Sequence, residues 1–493
     1  MIQRFFLKKL LKQLPNLSLP AGLLLSIILY TSNPFQLDNK ACLVLAIAAL
    51  MIFWWIVEAV PMPVVALLPI LLFPIFGVAP LKEVCSSYAD SNIFLFMGGF
   101  LLAIALEKWN LHKRIALNII QKTGTNGNRI ILGFILSTGF LSLWLSNTAT
   151  TLMMFPIATS VIGVIEAHHN GQGNLRHFSL ALMLSIAYAS NVAVGTIIGT
   201  PPNVAYANYV SETLHMTISF SKWMLLFVPL TILLLLLLYW LLVHVLYKNR
   251  IGHNEAGVAY VRTELNNMGR ISGTEKRVLI VFCLTVFAWI FKDMINQIQS
   301  LIELDDTVIA MAGGVSLFFI PSGTSISNKE STRILEWTDT TRMAWGILLM
   351  FGGGIALAKA LENAGITNQI GQILANNASS STFLMVLLVT TTSVFLSEVM
   401  SNVAQVIVMT PIITSLALHL NIDPLLLGIP MTLGASCASM LPMGTPPNAL
   451  VFASGHIRMR DMLRAGLALN LIAIILITLF CYFLQPLVLN LFK

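Results

Sequence analysis

The chain has 493 residues, of which 57% are hydrophobic and 10% are charged, and its mean hydropathy is +0.83. Soluble domains carry roughly 25% charged residues, so the composition excludes a soluble protein and indicates a polytopic integral membrane protein embedded in a lipid bilayer. The net charge of +7 would suggest a nucleic-acid partner in a soluble protein. Here the basic residues cluster between apolar segments, so membrane topology explains them and no nucleic acid is expected.

The chain begins with a basic segment and a first apolar stretch. Residues 17–30 are apolar and are preceded by four basic residues, Arg4, Lys8, Lys9 and Lys12. A signal peptide has the same order, but no small-residue cleavage site follows, and another apolar segment begins near Ala41. We therefore predict that residues 1–40 form a cytoplasmic N-terminal segment and a retained first helix.

The first half continues with apolar segments, two of which are interrupted. The segment 130–165 is broken at its centre by Ser146-Asn147-Thr148. At about 1.5 Å of rise per residue, its length fits a helical hairpin that enters and leaves the membrane on the same side. Gly199-Thr200-Pro201-Pro202-Asn203 interrupts a later segment. The predicted segments are 41–57, 64–78, 93–106, 130–165, 178–207 and 223–247.

Two polar stretches separate these segments. Residues 107–129 are polar and basic, with Trp109 and apolar residues at helical spacing. This pattern is typical of an amphipathic helix at the membrane interface, and an ordinary loop helix is the alternative. Residues 248–277 form the longest polar stretch and link the two halves.

The second half repeats the order of the first. A second hairpin is broken at Ser401-Asn402-Val403, and a later segment is broken at Gly444-Thr445-Pro446-Pro447-Asn448. Asn147 and Asn402 are 255 positions apart, as are the similar stretches FMGGFLLAIALE and FGGGIALAKALE. This register indicates an internal duplication. The predicted segments are 278–295, 307–320, 344–361, 382–418, 425–452 and 462–484.

The distribution of basic residues predicts an inverted repeat. If both broken hairpins are re-entrant and the N-terminus is cytoplasmic, 22 of the 28 Lys and Arg residues fall in inside segments. The first repeat then covers 41–250 with an inward-opening hairpin at 130–165, and a cytoplasmic linker covers 251–277. The second repeat covers 278–493 with an outward-opening hairpin at 382–418. Interrupted segments at matching places in inverted halves are typical of a transporter binding site.

The chemistry of the four breaks favours an anion that binds together with cations. Half-helix N-termini attract anions, whereas freed carbonyls and Ser, Thr and Asn oxygens suit a hard cation such as sodium. No Lys or Arg lies near the motifs in sequence, so the anion's charge must be neutralised by helix ends and bound cations. Such residues also pack between helices, but four collinear breaks favour a site. No catalytic residue is predicted.

At these residues the sequence resembles the divalent-anion/sodium symporter family, which includes the INDY-type bacterial dicarboxylate carriers. The family carries two Ser-Asn-Thr signatures on paired hairpins, which Ser146-Asn147-Thr148 and Ser401-Asn402-Val403 resemble, and the Gly-Thr-Pro-Pro-Asn breaks and stretches similar to WWIVEAVP and FLFMGGF are also shared. The resemblance implies an all-α chain with about eleven membrane-spanning helices and two re-entrant hairpins. It also implies a homodimer in the bacterial inner membrane and elevator movement of a transport domain against a scaffold.

The resemblance further implies ligands at matching positions. One sodium site would use Ser142, Ser146, Asn147 and Gly199, and the other would use Ser397, Met400, Asn402 and Gly444. The anion would bind Asn147, Thr148, Thr200, Asn402, Val403, Thr445 and Pro446. Val403 departs from the pattern, because many members have threonine there and valine lacks the hydroxyl.

These observations predict a sodium-coupled importer of di- or tricarboxylates, with no organic cofactor. A sodium-independent carboxylate antiporter and a sulfate carrier are alternatives within the class of carriers. A polytopic membrane enzyme is the alternative from another class. It would need a nucleophile and base or metal ligands within the membrane, and the sequence shows no such set.

Overall fold

A computed structural model describes residues 2–34, 36–167, 173–216, 218–252, 255–298, 303–323, 333–376 and 381–487. Side chains are described from residue 17 onward, except at 255–258. The regular elements in these ranges are helices, and one isolated bridge joins Pro321 to Arg333. The prediction of an all-α chain is therefore confirmed.

The chain contains 22 α-helices in the described residues. The first half comprises α1 (Ile2–Ser32), α2 (Asn39–Val57), α3 (Met62–Val65), α4 (Leu68–Ile75), α5 (Leu81–Ser86), α6 (Ser91–Lys108), α7 (Leu111–Thr123), α8 (Gly127–Ser142), α9 (Asn147–Ala167), α10 (Leu175–Asn191), α11 (Pro201–Thr213), α12 (Phe220–Trp240) and α13 (Glu255–Asn267). The second half comprises α14 (Gly273–Ile298), α15 (Asp306–Ser316), α16 (Trp345–Asn363), α17 (Ile366–Asn376), α18 (Thr382–Leu396), α19 (Asn402–His419), α20 (Pro424–Ser436), α21 (Pro446–Ala453) and α22 (Met459–Phe483).

Eight helical stretches in the described part of the chain are long and apolar enough to cross a membrane. They agree with the prediction of a polytopic membrane protein, and four shorter apolar helices accompany them. The long stretches are Asn39–Val57, Leu81–Lys108, Asn147–Ala167, Phe220–Leu246, Gly273–Ile298, Trp345–Asn363, Asn402–His419 and Met459–Leu487.

The structure differs from the sequence prediction, or chooses between its alternatives, in several stretches. The predicted span 64–78 is broken into α3 and α4, because Pro69, near the start of α4, has no N–H to donate to the preceding turn. The linker contains α13, and α17 follows α16, although neither helix was predicted. In the stretch 107–129, α7 buries Leu111, Ala116, Leu117 and Ile120 within the protein, which favours the packed loop helix.

The helices group into two compact units, each assembled from separate stretches of chain. The first unit comprises Met1–Ile93, Ala205–Thr217 and Ala344–Ala435, and contains the hairpin of α18 and α19. The second unit comprises Phe94–Val204, Ile218–Met343 and Ser436–Lys493. It contains the hairpin of α8 and α9 and both Gly-Thr-Pro-Pro-Asn breaks.

The helix order repeats at the offset seen in the sequence. Helix α9 begins at Asn147 and α19 at Asn402, and α7 begins at Leu111 and α17 at Ile366. Within the second unit, a Cβ at Gly98 would collide with the backbone of Ala310. Gly353, its repeat counterpart in the first unit, meets the backbone of Ala66 in the same way. Both positions require glycine because another stretch of backbone approaches the helix closely there.

Candidate functional site

The first hairpin tip is the turn between α8 and α9, and a hydrogen bond from Ser142 joins the two helix ends. The Ser142 hydroxyl oxygen lies 2.9 Å from Asn147 Oδ1 and 3.1 Å from the carbonyl oxygen of Ser190. Ser146 Oγ accepts from the backbone N–H of Ala149 at 3.3 Å, so this serine satisfies a free amide in the first turn of α9. The break therefore arises where small polar side chains replace the backbone bonds that a continuous helix would make.

Gly199 joins this tip from the break between α10 and α11. Its N–H donates to Thr196 Oγ1 at 2.9 Å, and the Thr196 hydroxyl donates to the Leu143 carbonyl. A Cβ on Gly199 would lie 2.9 Å from Thr196 Oγ1 and 3.0 Å from the Ser142 carbonyl oxygen, so a larger residue would force these groups to shift. The structure thus brings three predicted ligands together, Ser142, Asn147 and Gly199, and Ser146 lies in the same turn. Sequence reasoning missed Thr196, for which no pattern gave a signal.

Both Gly-Thr-Pro-Pro-Asn breaks are closed by their final asparagine. Asn203 Nδ2 donates to the carbonyls of Val194 at 3.2 Å and Thr196 at 2.9 Å. Asn448 Nδ2 donates to the carbonyls of Ala438 at 3.2 Å and Leu441 at 3.1 Å. These fully buried amides satisfy carbonyls that the broken helix leaves free. The motif contained both residues, but their clamping role was not predicted.

Two further bonds in the second unit connect the repeats. Asn191, the last residue of α10, places its Nδ2 within 3.2 Å of Thr445 Oγ1. Ser436, the last residue of α20, donates to Thr200 Oγ1 at 3.3 Å. Thr200 and Thr445, both predicted anion contacts, are therefore buried and held in place. The remaining predicted contacts in this unit are more accessible: Thr148 is half-buried and Pro446 is exposed.

The second hairpin tip, in the first unit, has the same helix break but different bonding. Gln405 Nε2 donates to the Ser393 carbonyl oxygen at 2.9 Å and lies 2.7 Å from Ser393 Oγ, which joins the two arms of the hairpin. Ser397 Oγ and Asn402 Oδ1 are buried and have no hydrogen-bond partner in the described part of the chain. Val403, which follows Asn402 in the sequence, is half-buried.

The predicted second sodium set is divided between the units. Ser397, Met400 and Asn402 belong to the first unit, whereas Gly444 belongs to the second. Ser397 follows the last residue of α18, and Asn402 is the first residue of α19. Two buried oxygens without a hydrogen-bond partner are the kind of group that a hard cation satisfies, because a buried polar atom without a partner is otherwise costly. This ligand set stays a prediction.

The family model described as the sodium:sulfate symporter transmembrane region matches residues 12–490. The chain belongs to this family. It is 39% identical to a sodium-dependent dicarboxylate transporter, SdcS, of Staphylococcus saprophyticus, over 99% of this chain and 95% of the relative. It is 36% identical to SdcS of Staphylococcus aureus, over 96% of this chain and 91% of the relative. The predicted family is confirmed, and the chain is a carrier rather than an enzyme.

Two solved membrane transporters share the fold at low sequence identity. The Neisseria gonorrhoeae protein MtrF matches with a TM-score of 0.55 at 11% identity, over 82% of this chain and 83% of its own. The Alcanivorax borkumensis YdaH transporter matches with a TM-score of 0.56 at 11% identity, over 81% of this chain and 86% of its own. They support the helical transporter architecture, and at this identity they carry no information about substrate.

Proposed function

We propose that this chain imports di- or tricarboxylates across a bacterial inner membrane together with sodium. The observation that carries the proposal is the meeting of Ser142, Asn147 and Gly199 at a helix break inside apolar sequence. The relatives named sodium-dependent dicarboxylate transporters, which match almost the whole chain, support the substrate class and the coupling ion.

Each hairpin tip would supply one sodium site. At the first tip, the cation would bind Ser142 Oγ and Asn147 Oδ1, whose 2.9 Å separation allows both to face one ion. Ser146 and Gly199 would complete the set. At the second tip, the unpaired Ser397 Oγ and Asn402 Oδ1 would bind the cation, with Met400 contributing its carbonyl, while Gly444 of the other unit stays a predicted ligand.

The carboxylates would bind next to these cations. The first turns of α9 and α19 carry N–H groups without helical partners, which favour negative charge, whereas α11 and α21 begin with two prolines that have no N–H to offer. Bound sodium ions would neutralise the rest of the anion's charge, which explains why binding would require sodium. The contacts proposed in the second unit are Asn147, Thr148, Thr200, Thr445 and Pro446, and those proposed at the second tip, in the first unit, are Asn402 and Val403.

Uptake of labelled succinate into proteoliposomes tests the proposal. An inward sodium gradient should drive uptake, whereas an equal potassium gradient should not. Unlabelled citrate and sulfate, added separately, would report which other anions compete. Uptake that does not depend on sodium but requires dicarboxylate loaded inside the proteoliposomes would instead identify an antiporter. Competition by sulfate alone would identify a sulfate carrier.

We further propose a cytoplasmic N-terminus, inverted repeats, a homodimer and elevator movement, which the family resemblance supports. The topology makes a direct prediction. After replacement of the exposed Cys85 and Cys283, a cysteine at the exposed Arg262 should react with a membrane-impermeant maleimide only from the cytoplasmic side, because Arg262 lies in the basic linker. A cysteine at the exposed Glu303 should react only from outside. Labelling of position 262 from outside would contradict the inverted topology.

A further inference from the structure

Asn191 is a fully buried asparagine at the end of α10 that holds the second break. Its Nδ2 lies 3.0 Å from the Ala438 carbonyl oxygen, 3.2 Å from Thr445 Oγ1 and 3.1 Å from Asn448 Oδ1. The two amide hydrogens of one side chain therefore serve three acceptors. Because the break between α20 and α21 has lost its helical bonds, Asn191 is one of the groups that fix the position of Thr445.

The preceding residue, Ser190, is attached to the first tip. Its carbonyl oxygen lies 3.1 Å from Ser142 Oγ, and its hydroxyl accepts from Thr151 Oγ1 at 3.1 Å. The Ser190 hydroxyl donates in turn to the Ala187 carbonyl at 2.8 Å. Two consecutive residues thus make connections in opposite directions, Ser190 to the first tip and Asn191 to the second break.

A cation at the first tip would change the bond between Ser142 and Ser190. Ser142 has one hydroxyl hydrogen, and two acceptors, Asn147 Oδ1 and the Ser190 carbonyl, compete for it. A sodium ion bound by Ser142 Oγ and Asn147 Oδ1 requires lone pairs from both, so the hydrogen must point away from the ion. The Ser190 carbonyl is then the only one of the two acceptors that remains, so the Ser142 hydroxyl donates to it alone.

We propose that Asn191 is a positioning residue that couples cation binding at the first tip to the shape of the second break. Sodium bound at Ser142 fixes the hydrogen bond from Ser142 to the Ser190 carbonyl. The side-chain amide of the adjacent Asn191 then holds Thr445 in place, so the anion meets an ordered threonine. This inference rests on the proposed sodium-coupled function. By linkage, the anion would strengthen sodium binding at the first tip by the same factor.

The repeat counterpart of Asn191 gives an internal comparison. Ser436 lies 245 positions later, the offset that separates the two Gly-Thr-Pro-Pro-Asn motifs. It makes a single bond of 3.3 Å to Thr200 Oγ1, compared with the three acceptors around Asn191. The coupling through Asn191 should therefore be the stronger of the two, and Ser436→Ala should have a smaller effect on the same measurement.

The test is the sodium dependence of the apparent KM for succinate in proteoliposomes. In the wild type, the KM should fall as sodium rises. In Asn191→Leu, which keeps similar volume but lacks the donors, the ratio of KM at limiting sodium to KM at saturating sodium should shrink at least about fivefold. The maximal rate at saturating sodium and succinate should stay within about threefold of the wild type, since the direct ligands are intact. The sodium Hill coefficient should fall towards one.

The controls separate this role from general damage and from failure of the proposed function. Thr138→Val removes a buried hydroxyl that has no partner in the described residues, so it should leave the KM ratio unchanged. Asn191→Ser, which keeps one donor, should give an intermediate ratio and carries the test if Asn191→Leu does not fold. A wild-type KM ratio in both Asn191 variants would overturn the role of Asn191. A wild type that ignores sodium would instead contradict the proposed function.

Discussion

The two hairpin tips share a helix break but differ in how their oxygens are satisfied. At the first tip, the Ser142 hydroxyl lies within hydrogen-bond distance of both Asn147 Oδ1 and the Ser190 carbonyl oxygen. At the second tip, the equivalent oxygens, Ser397 Oγ and Asn402 Oδ1, are buried without a hydrogen-bond partner in the described chain. The two repeats therefore share serine and asparagine at these positions, while the surroundings of the two tips differ.

This difference suggests how each tip would respond to sodium. A cation at the first tip has to replace an existing bond between Ser142 and Asn147, so part of its binding energy is offset. A cation at the second tip would satisfy two atoms whose burial without partners costs about 1–3 kcal/mol each. We therefore expect the second tip to gain more stability from sodium than the first, provided that both sites bind the ion.

The largest expected effect comes from removing the asparagine at either tip. Asn147→Ala and Asn402→Ala should each lower succinate uptake by roughly 100-fold, because each removes one contact to a cation and one to a carboxylate, and ~1.4 kcal/mol corresponds to tenfold. Initial rates in proteoliposomes, at matched protein amounts, measure the loss. Near-normal transport by both variants would rule out the tips as the binding site.

Alanine at the two serines should affect stability in opposite directions. Without sodium, Ser142→Ala loses its hydrogen bond and should destabilise the protein by about 1 kcal/mol. Ser397→Ala removes a buried hydroxyl without a partner and should stabilise it by a similar amount, about 1 kcal/mol. Melting in detergent without sodium should therefore shift in opposite directions, by roughly 1–2 °C each.

Adding sodium completes the comparison of the serines. Both variants should lose a large part of the thermal stabilisation that sodium gives the wild type, because each lacks one cation ligand. If Ser397→Ala melts at a lower temperature than the wild type without sodium, the Ser397 hydroxyl has a partner and the two tips do not differ as described.

The sequence predicted the positions of the tips and breaks better than their bonding. Short polar residues within apolar segments, repeated at one offset, place the ends of α8, α9, α18 and α19 within a few residues. Asn191 could not be found in this way, because its partners lie about 250 positions away and depend on tertiary packing. One signal was available: Ser190-Asn191 repeats the Ser-Asn dipeptide of the tips.

The smallest expected effect concerns the one chemical difference between the motifs, Thr148 in the first and Val403 in the second. Val403→Thr adds a hydroxyl with little change in side-chain volume, so it tests whether the second tip lacks a carboxylate contact. A hydrogen bond to a charged group is worth about 1.5–3 kcal/mol when well aligned, and desolvation of the hydroxyl opposes this gain.

We therefore expect Val403→Thr to lower the apparent KM for a C4 dicarboxylate by about tenfold at most, since tenfold corresponds to ~1.4 kcal/mol. The sodium dependence should be unchanged, because the cation ligands proposed at this tip are Ser397, Met400 and Asn402. Thr148→Val, the reverse change at the first tip, should raise the KM and serves as the matched control. If Val403→Thr alters sodium dependence while the KM stays fixed, position 403 faces the cation. Complete loss of dicarboxylate uptake would instead identify Val403 as part of an apolar wall that selects a different anion.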